Sequence, residues 1–205
     1  MNQVAKKKLS PQAPENKILF LREYFLTPHK MGAIVPSSTA LAREIVRLAH
    51  VADSSVIVEY GAGTGSFTKE ILRRKRRDAS FLAIESNPCM VEILRQRFPD
   101  LTVLQNSVED TPRLLQQQHL ALADCIVSGL PWSSFSGDLQ DRLLEATLQA
   151  LRPSSTFVTF AYPHALFLPG GIRFRRKINR LFSDVAVSNI IWNNLPLALI
   201  YHCVK

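Results

Sequence analysis

The stretch Val56-Ile57-Val58-Glu59-Tyr60-Gly61-Ala62-Gly63-Thr64-Gly65-Ser66-Phe67-Thr68-Lys69 decides the fold. It opens with a β-branched apolar run of the kind that forms a buried parallel strand. Three glycines follow at every second position, and an amphipathic segment over residues 67–72 begins directly after them. That order is strand, glycine turn, helix. Glycine suits the turn because it reaches backbone angles closed to other residues, and because a Cβ would hold the backbone away from a nucleotide-like ligand. The pattern is Glu-x-Gly-x-Gly-x-Gly, not the Gly-x-Gly-x-x-Gly of dinucleotide sites. A pyrophosphate favours a bare helix N-terminus, whereas an acid at the strand end favours a ligand that carries positive charge.

A second acid completes the pattern. Residues 80–84 form another short apolar run, and it ends in Glu85. At that place in a βαβ unit a carboxylate can accept hydrogen bonds from both hydroxyls of a ribose. With both acids present, the chain resembles the class I S-adenosylmethionine-dependent methyltransferases, Glu59, Gly61, Gly63, Gly65 and Glu85 standing on that family's motif positions. The resemblance implies a Rossmann-like α/β fold: a mostly parallel seven-stranded sheet, a C-terminal antiparallel hairpin, and S-adenosylmethionine as cofactor. It also implies cofactor contacts at Ser86, beside Glu85, and at Ser37 and Ser38, near the methionine end. Asn106 and Ser107 would face the adenine, where many members have an acidic residue.

Bulk properties set the frame. A chain of 205 residues, 46% hydrophobic and 20% charged, can bury one proper core. Cys89, Cys125 and Cys203 lie far apart in or beside apolar runs, so they read as reduced core thiols, with neither a disulfide framework nor a metal site. No apolar run approaches the length of a membrane span, and no signal-peptide core follows the N-terminal lysines. A net charge of +8 and a pI near 9.7 bias the protein toward polyanions, nucleic acid or an anionic membrane face.

In chain order, residues 1–16 carry Lys6, Lys7, Lys8, Pro11 and Pro14 and read as a mobile tail. Ile18, Leu19, Leu21, Tyr24, Phe25 and Leu26 then recur at helical spacing. This amphipathic helix could lie in a membrane interface or fold over the mouth of its own domain; the periodicity is the same. We place the division at 1–30 for tail and membrane-binding helix and 31–205 for the catalytic domain. Residues 31–38 form a loop, with Ser37 or Ser38 the N-cap of a helix over 39–50. The cations at 73–77 suit a helix C-terminus, or alternatively a phosphate-contacting patch. A helix over 88–98 turns Val91, Leu94 and Phe98 inward, and strands follow at 101–104, 121–127 and 156–161, with a covering helix over 139–151. The dense cations from Arg173 to Arg180, interleaved with Phe174 and Ile178, predict an amphipathic surface that meets phosphates. Segments 185–192 and 197–204 form the closing hairpin, with Trp192 as core packing.

The second chemically loaded place is Ser128-Gly129-Leu130-Pro131-Trp132. Ligands of open α/β sheets bind beyond the carboxyl ends of central strands, so this turn belongs beside Gly61 to Gly65. It resembles the Asn-Pro-Pro-Tyr or Asn-Leu-Pro-Tyr signature of amino-group methyltransferases, with Ser128 in place of the asparagine. That implies a substrate nitrogen held by the Leu130 carbonyl and Ser128, with Ser128 also bordering the cofactor, and the Trp132 face alongside. Tyr24, His29, Tyr162 and His164 are candidate proton acceptors, and Tyr162 also offers an aromatic face. Together with 20–38 and 190–201, these motifs resemble the bacterial phospholipid N-methyltransferase family. The resemblance implies a cytoplasmic enzyme attached to the inner face of the membrane through anionic phospholipids, methylating phosphatidylethanolamine toward phosphatidylcholine; related members act on ornithine lipids. The alternative is an rRNA adenine methyltransferase-like enzyme, against which stand Ser128 and the lack of length for an RNA-binding helical domain.

Overall fold

The computed structural model describes residues 38–205. The expectations for the tail, the amphipathic helix, Tyr24, His29 and Ser37 lie outside the described residues. Within them the elements are α1 (Thr39–Leu48), β1 (Val56–Tyr60), α2 (Ser66–Arg74), β2 (Ser80–Glu85), α3 (Pro88–Arg97), β3 (Thr102–Gln105), α4 (Thr111–Gln117), β4 (Ala123–Ser128), α5 (Gly137–Ala150), β5 (Leu151–Ala161), α6 (Pro169–Leu181), β6 (Asp184–Val187) and β7 (Leu199–Val204). The sheet order is β3-β2-β1-β4-β5-β7-β6. β1 to β5 pair in parallel, and β7 runs antiparallel to both β5 and β6. This is the expected Rossmann-like architecture, and the order in which strands are laid down reverses between β1 and β4, which is where such sheets open a ligand crevice.

Local chemistry explains the elements. β1 is buried at all five positions, which suits a central strand covered on both faces. α1 starts at Ser38, whose Oγ accepts from the Leu41 N–H at 3.2 Å, and it presses Leu41, Ala42, Ile45 and Val46 into the core. Asn87 caps α3 by accepting from the Cys89 N–H at 2.9 Å, with Pro88 in the first turn. At the far end of the sheet, Asp124 Oδ2 accepts from the N–H groups of Ser55 and Val56, at 2.7 and 2.9 Å, and so ties the start of β1 to β4.

Three expectations change. The closing hairpin is shorter than its alternating pattern suggested: β6 stops at Val187, the chain leaves the sheet, and only an isolated bridge from Ile191 to Ala198 precedes β7. Trp192 therefore sits in the connecting loop, 74% exposed, instead of in the core. Cys125 and Cys203 are buried thiols, but Cys89 is exposed on the first turn of α3. β5 starts earlier than expected, straight out of α5, because an irregularity near Ser154, with φ of 62°, absorbs Pro153 without breaking the strand. Of the cations at 73–77, Arg73 and Arg74 stand in the last turn of α2 and reach Glu70 at 2.5 and 3.1 Å, and Arg76, beyond the helix, pairs with Asp78.

Replacing Asp124 with Ala leaves two backbone donors of the β1 lead-in without that acceptor. The expected loss is about 1–3 kcal/mol of stability, read as a lowered urea midpoint.

Candidate active site

Two turns at the carboxyl ends of β1 and β4 meet backbone to backbone. Tyr60 is paired with Ser128 across the sheet, and the Gly129 N–H donates to the Tyr60 carbonyl at 2.8 Å. The approach is so close that a Cβ on Gly129 would lie 2.8 Å from the Gly61 carbonyl oxygen, and a Cβ on Gly61 would lie 2.7 Å from Leu130 Cδ2. Gly61, Gly63 and Gly65 all take positive φ, the left-handed region that side chains resist. Gly65 serves as the N-cap of α2, with Phe98 packed where its Cβ would be. Gly63 borders open space, so a side chain there would enter the crevice.

Glu59 is fully buried at the end of β1. Its Oε2 accepts from the Thr68 hydroxyl at 2.7 Å, and its Oε1 has no hydrogen-bond partner. Burial pushes this carboxyl up to about 8 from 4.5; the Thr68 hydrogen bond opposes the rise and the Glu85 charge adds to it. An unpaired buried carboxylate oxygen is costly, and a cation placed beside it removes the cost. Thr68 escaped the sequence reading; its signal was a hydroxyl on the first turn after the glycines, facing back to the acid.

Glu85, buried at the end of β2, accepts from the Gly63 N–H through Oε2 at 3.0 Å and from the Asn87 N–H through Oε1 at 2.8 Å. Those bonds hold the carboxylate across the glycine turn, and each oxygen keeps a further lone pair for a hydroxyl. Ser86 is exposed next to it. The Asn106 N–H donates to the Glu85 carbonyl at 3.2 Å, so Asn106 and Ser107 stand at the same sheet end. Their side chains serve the chain locally: Asn106 Oδ1 accepts from the Ser107 N–H, and Ser107 Oγ caps a single helical turn at Glu109. Ser38 caps α1 and donates its N–H to Asn194 Oδ1 at 2.9 Å.

The acceptor turn differs in detail from its expected roles. Ser128 is fully buried, and its Oγ accepts from the Trp132 indole N–H at 3.0 Å and the Leu130 N–H at 3.3 Å. It organises the turn from within. Trp132 is buried among aromatics, stacked on Phe174 at 4.8 Å and edge-on to Phe135 and Phe157. Packed on these sides, its ring anchors the turn and has no open face for a substrate, contrary to the role expected of it. Gln140 clamps the same turn, donating to the Trp132 and Gly170 carbonyls at 2.8 and 3.0 Å. Leu130 is half-buried, and its carbonyl accepts from the Trp132 N–H at 3.0 Å. At the end of β5, half-buried Tyr162 stacks on exposed His164 at 5.8 Å and meets Phe160 edge-on. Burial raises the Tyr162 phenol, which makes it a poor proton acceptor near neutral pH and leaves its ring as the useful surface.

The orphaned Glu59 oxygen, the side-chain-free glycine turn and the bridging Glu85 fit S-adenosylmethionine, which when bound supplies an electrophilic methyl group on a sulfonium. Glu59 would face its positive end, Gly61 to Gly65 its body and Glu85 its ribose. Residues 57–154 match the family model described as "Methyltransferase domain". Fold and site together define a class I S-adenosylmethionine-dependent methyltransferase. The chain is 38% identical to the ornithine lipid N-methyltransferase of Singulisphaera acidiphila, across 90% of this chain and 94% of that protein. It belongs to the same family of bacterial lipid N-methyltransferases, the one its motifs pointed to. A weaker likeness, 26% identity over 62% of the chain and 43% of the relative, joins it to ribosomal RNA small subunit methyltransferase A of Thermotoga maritima. Among solved structures, the O-methyltransferase from Bacillus cereus in complex with SAH superposes with a TM-score of 0.68 at 13% identity, covering 94% of this chain and 92% of that one. The O-methyltransferase TomG from Streptomyces achromogenes in complex with SAM gives 0.65 at 16% identity, covering 90% and 89%. At such identities the likeness is one of fold.

Gly61→Val must place a branched side chain in a left-handed position against Leu130, and the expected outcome in calorimetry is loss of measurable S-adenosylmethionine binding. Glu59 yields a pH signature. Its proton is held more tightly in the folded chain than in the unfolded one, so its stabilising contribution is present below about 4.5 and lost as pH rises toward about 8. A cationic ligand must displace that proton, so affinity for S-adenosylmethionine should rise between about pH 6 and 8. In Glu59→Gln both slopes should flatten, in thermal melts and in calorimetry.

Proposed function

We propose that this chain transfers methyl groups from S-adenosylmethionine to the amine of a membrane lipid headgroup. The observation that carries this reading is the likeness, over nearly the whole length of both proteins, to an enzyme named for N-methylation of ornithine lipid. It favours ornithine lipid as the headgroup over the phosphatidylethanolamine, and its mono- and dimethyl derivatives, that the motifs led us to expect. Both present a primary amine on a short flexible arm, and the same site chemistry serves either.

The amine must be neutral to attack, so its proton leaves first to water or to a base such as His164, exposed at the rim. The Leu130 carbonyl keeps one lone pair beyond its bond to the Trp132 N–H, and that lone pair can orient the nitrogen. As positive charge passes to nitrogen, the Tyr162 face can stabilise it by a cation–π attraction of roughly 0.5–2 kcal/mol. A methylated amine keeps its charge and loses hydrogen-bond donors, so an aromatic face suits repeated transfer better than a carboxylate. The substrate's acyl chains place the reaction at a bilayer surface. We assign the enzyme to the cytoplasmic side as a peripheral protein, attached through its basic amphipathic N-terminal segment. Among the described residues no helix is long and apolar enough to cross a membrane.

The test is transfer of radiolabelled methyl groups with three acceptors offered separately: vesicles containing phosphatidylethanolamine, vesicles containing ornithine lipid, and ribosomal RNA. Label in the ornithine lipid extract is the expected result. Label confined to phosphatidylethanolamine would change the headgroup, and label in RNA alone would overturn the lipid reading while leaving the donor site intact.

A further inference from the structure

Helix α6 has an outer face that neither the core nor the donor site uses. Gly170, Phe174 and Ile178 face inward, and the first turn is packed so tightly that a Cβ on Gly170 would lie 2.0 Å from the Ser133 carbonyl oxygen. The helix is thereby fixed to the turn that follows β4. Its outer stripe, Ile172, Arg175, Arg176, Asn179 and Arg180, lines an open cleft of about 470 Å³ together with Leu166. None of these six belongs to the donor site. α6 contains no acidic residue, and Lys177 is paired with Asp141 at 2.7 Å. Among the described residues, no ion pair involves Arg175, Arg176 or Arg180.

Beside this cluster the surface is apolar. Phe167 is 82% exposed, and Leu168 and Ile172 are also exposed. The topology puts further apolar groups at the same end of the molecule. β7 begins opposite the end of β5, so the loop before β7 emerges at the edge where the turns after β1 and β4 lie. That loop carries Trp192 and Leu195, the latter 79% exposed. Solitary exposed apolar residues mean little, but a group of them gathered where α6 begins, with uncompensated guanidinium groups running from there along its outer face toward the amino ends of the strands, marks an interaction surface.

Resting on the lipid reading above, we propose that the α6 cleft holds the phosphate of an anionic phospholipid headgroup, with Phe167 and Leu168 entering the acyl boundary beside it. The catalytic domain itself then docks on the bilayer through the outer face of α6 and the apolar residues at its start. Guanidinium groups are suited to phosphate because their forked donors match two of its oxygens. Aromatic and aliphatic side chains beside them gain by leaving water for the acyl boundary. A single-stranded nucleic acid site instead interleaves its cations with aromatic platforms for bases, and the apolar walls of this cleft are Leu166 and Ile172.

The test compares the full-length chain with its Arg175→Ala/Arg176→Ala/Arg180→Ala form and with Phe167→Ser. Each is sedimented with vesicles of phosphatidylcholine alone or of phosphatidylcholine and phosphatidylglycerol mixed. Cations near an anionic surface each contribute to binding, so the triple variant should lose about tenfold or more in partition onto the mixed vesicles, with little change on the neutral ones. Phe167→Ser should weaken both. Equal S-adenosylmethionine affinity in calorimetry verifies that the variants are folded. Unchanged partition of the triple variant overturns the cleft. So does a defect seen only in RNA mobility shifts, or in titrations with inorganic phosphate. If the wild-type chain labels no lipid but its partition still falls in the triple variant, the substrate assignment fails and the docking cleft stands. If it labels lipid and partition is unmoved, the cleft alone fails.

Discussion

The structure depends on a single close approach, the hydrogen bond from the Gly129 N–H to the Tyr60 carbonyl with Gly61 lying against Leu130. It joins the turn after β1, which is shaped to take a donor, to the turn after β4, which is shaped to present an acceptor. Backbone can meet backbone at this separation only where side chains are missing, so both turns carry glycine at the point of contact. Everything behind the contact serves to hold it. The two strands are registered Tyr60 to Ser128, Ser128 Oγ gathers the Trp132 indole and the Leu130 N–H, and Gln140 ties the turn to the start of α6.

The electrostatics follow from the same geometry. A carboxylate at the end of a buried strand has lost its water, and one hydroxyl from Thr68 does not replace it. Glu59 is thus an acid whose charge the folded chain disfavours, and a positively charged ligand relieves that imbalance. Glu85 is the counterpart. With both oxygens accepting backbone N–H groups, it is oriented in advance across the glycine turn, which reduces the ordering cost of binding a diol. The two acids do different work because one is unsatisfied and the other is satisfied.

The outer surface belongs to a different problem, which under the proposed lipid function is that of bringing the catalytic edge to a substrate held in a bilayer. The first turn of α6 packs against the acceptor turn and its outer face is basic, so one rigid element links the site to the surface that we assign to lipid. Exposed apolar residues at Phe167, Trp192 and Leu195 gain little burial when the chain folds, and their place at one end of the sheet suits the docking proposed above.

The sequence by itself determined the sheet and the donor half of the site. β-branched runs ending in Glu59 and Glu85, with glycines at every second position between them, leave few other arrangements, because strand burial and left-handed turns are local demands of the chain. The serine N-cap at Ser38 and the place of Arg73 and Arg74 at a helix end were legible for the same reason. What only the tertiary structure decided was the direction in which aromatic side chains point. Trp132, read as a substrate face, turns into a cluster with Phe174, Phe135 and Phe157, and Trp192, read as core, stands in water. An indole next to a proline turn or at the end of an alternating segment suits either fate, and the choice rests on partners distant in sequence. Phe174 lies beyond another strand, and the early end of β6 is set by its pairing with β7. Period and residue type are properties of neighbours along the chain, whereas burial of a large side chain is settled by what the fold brings across from elsewhere.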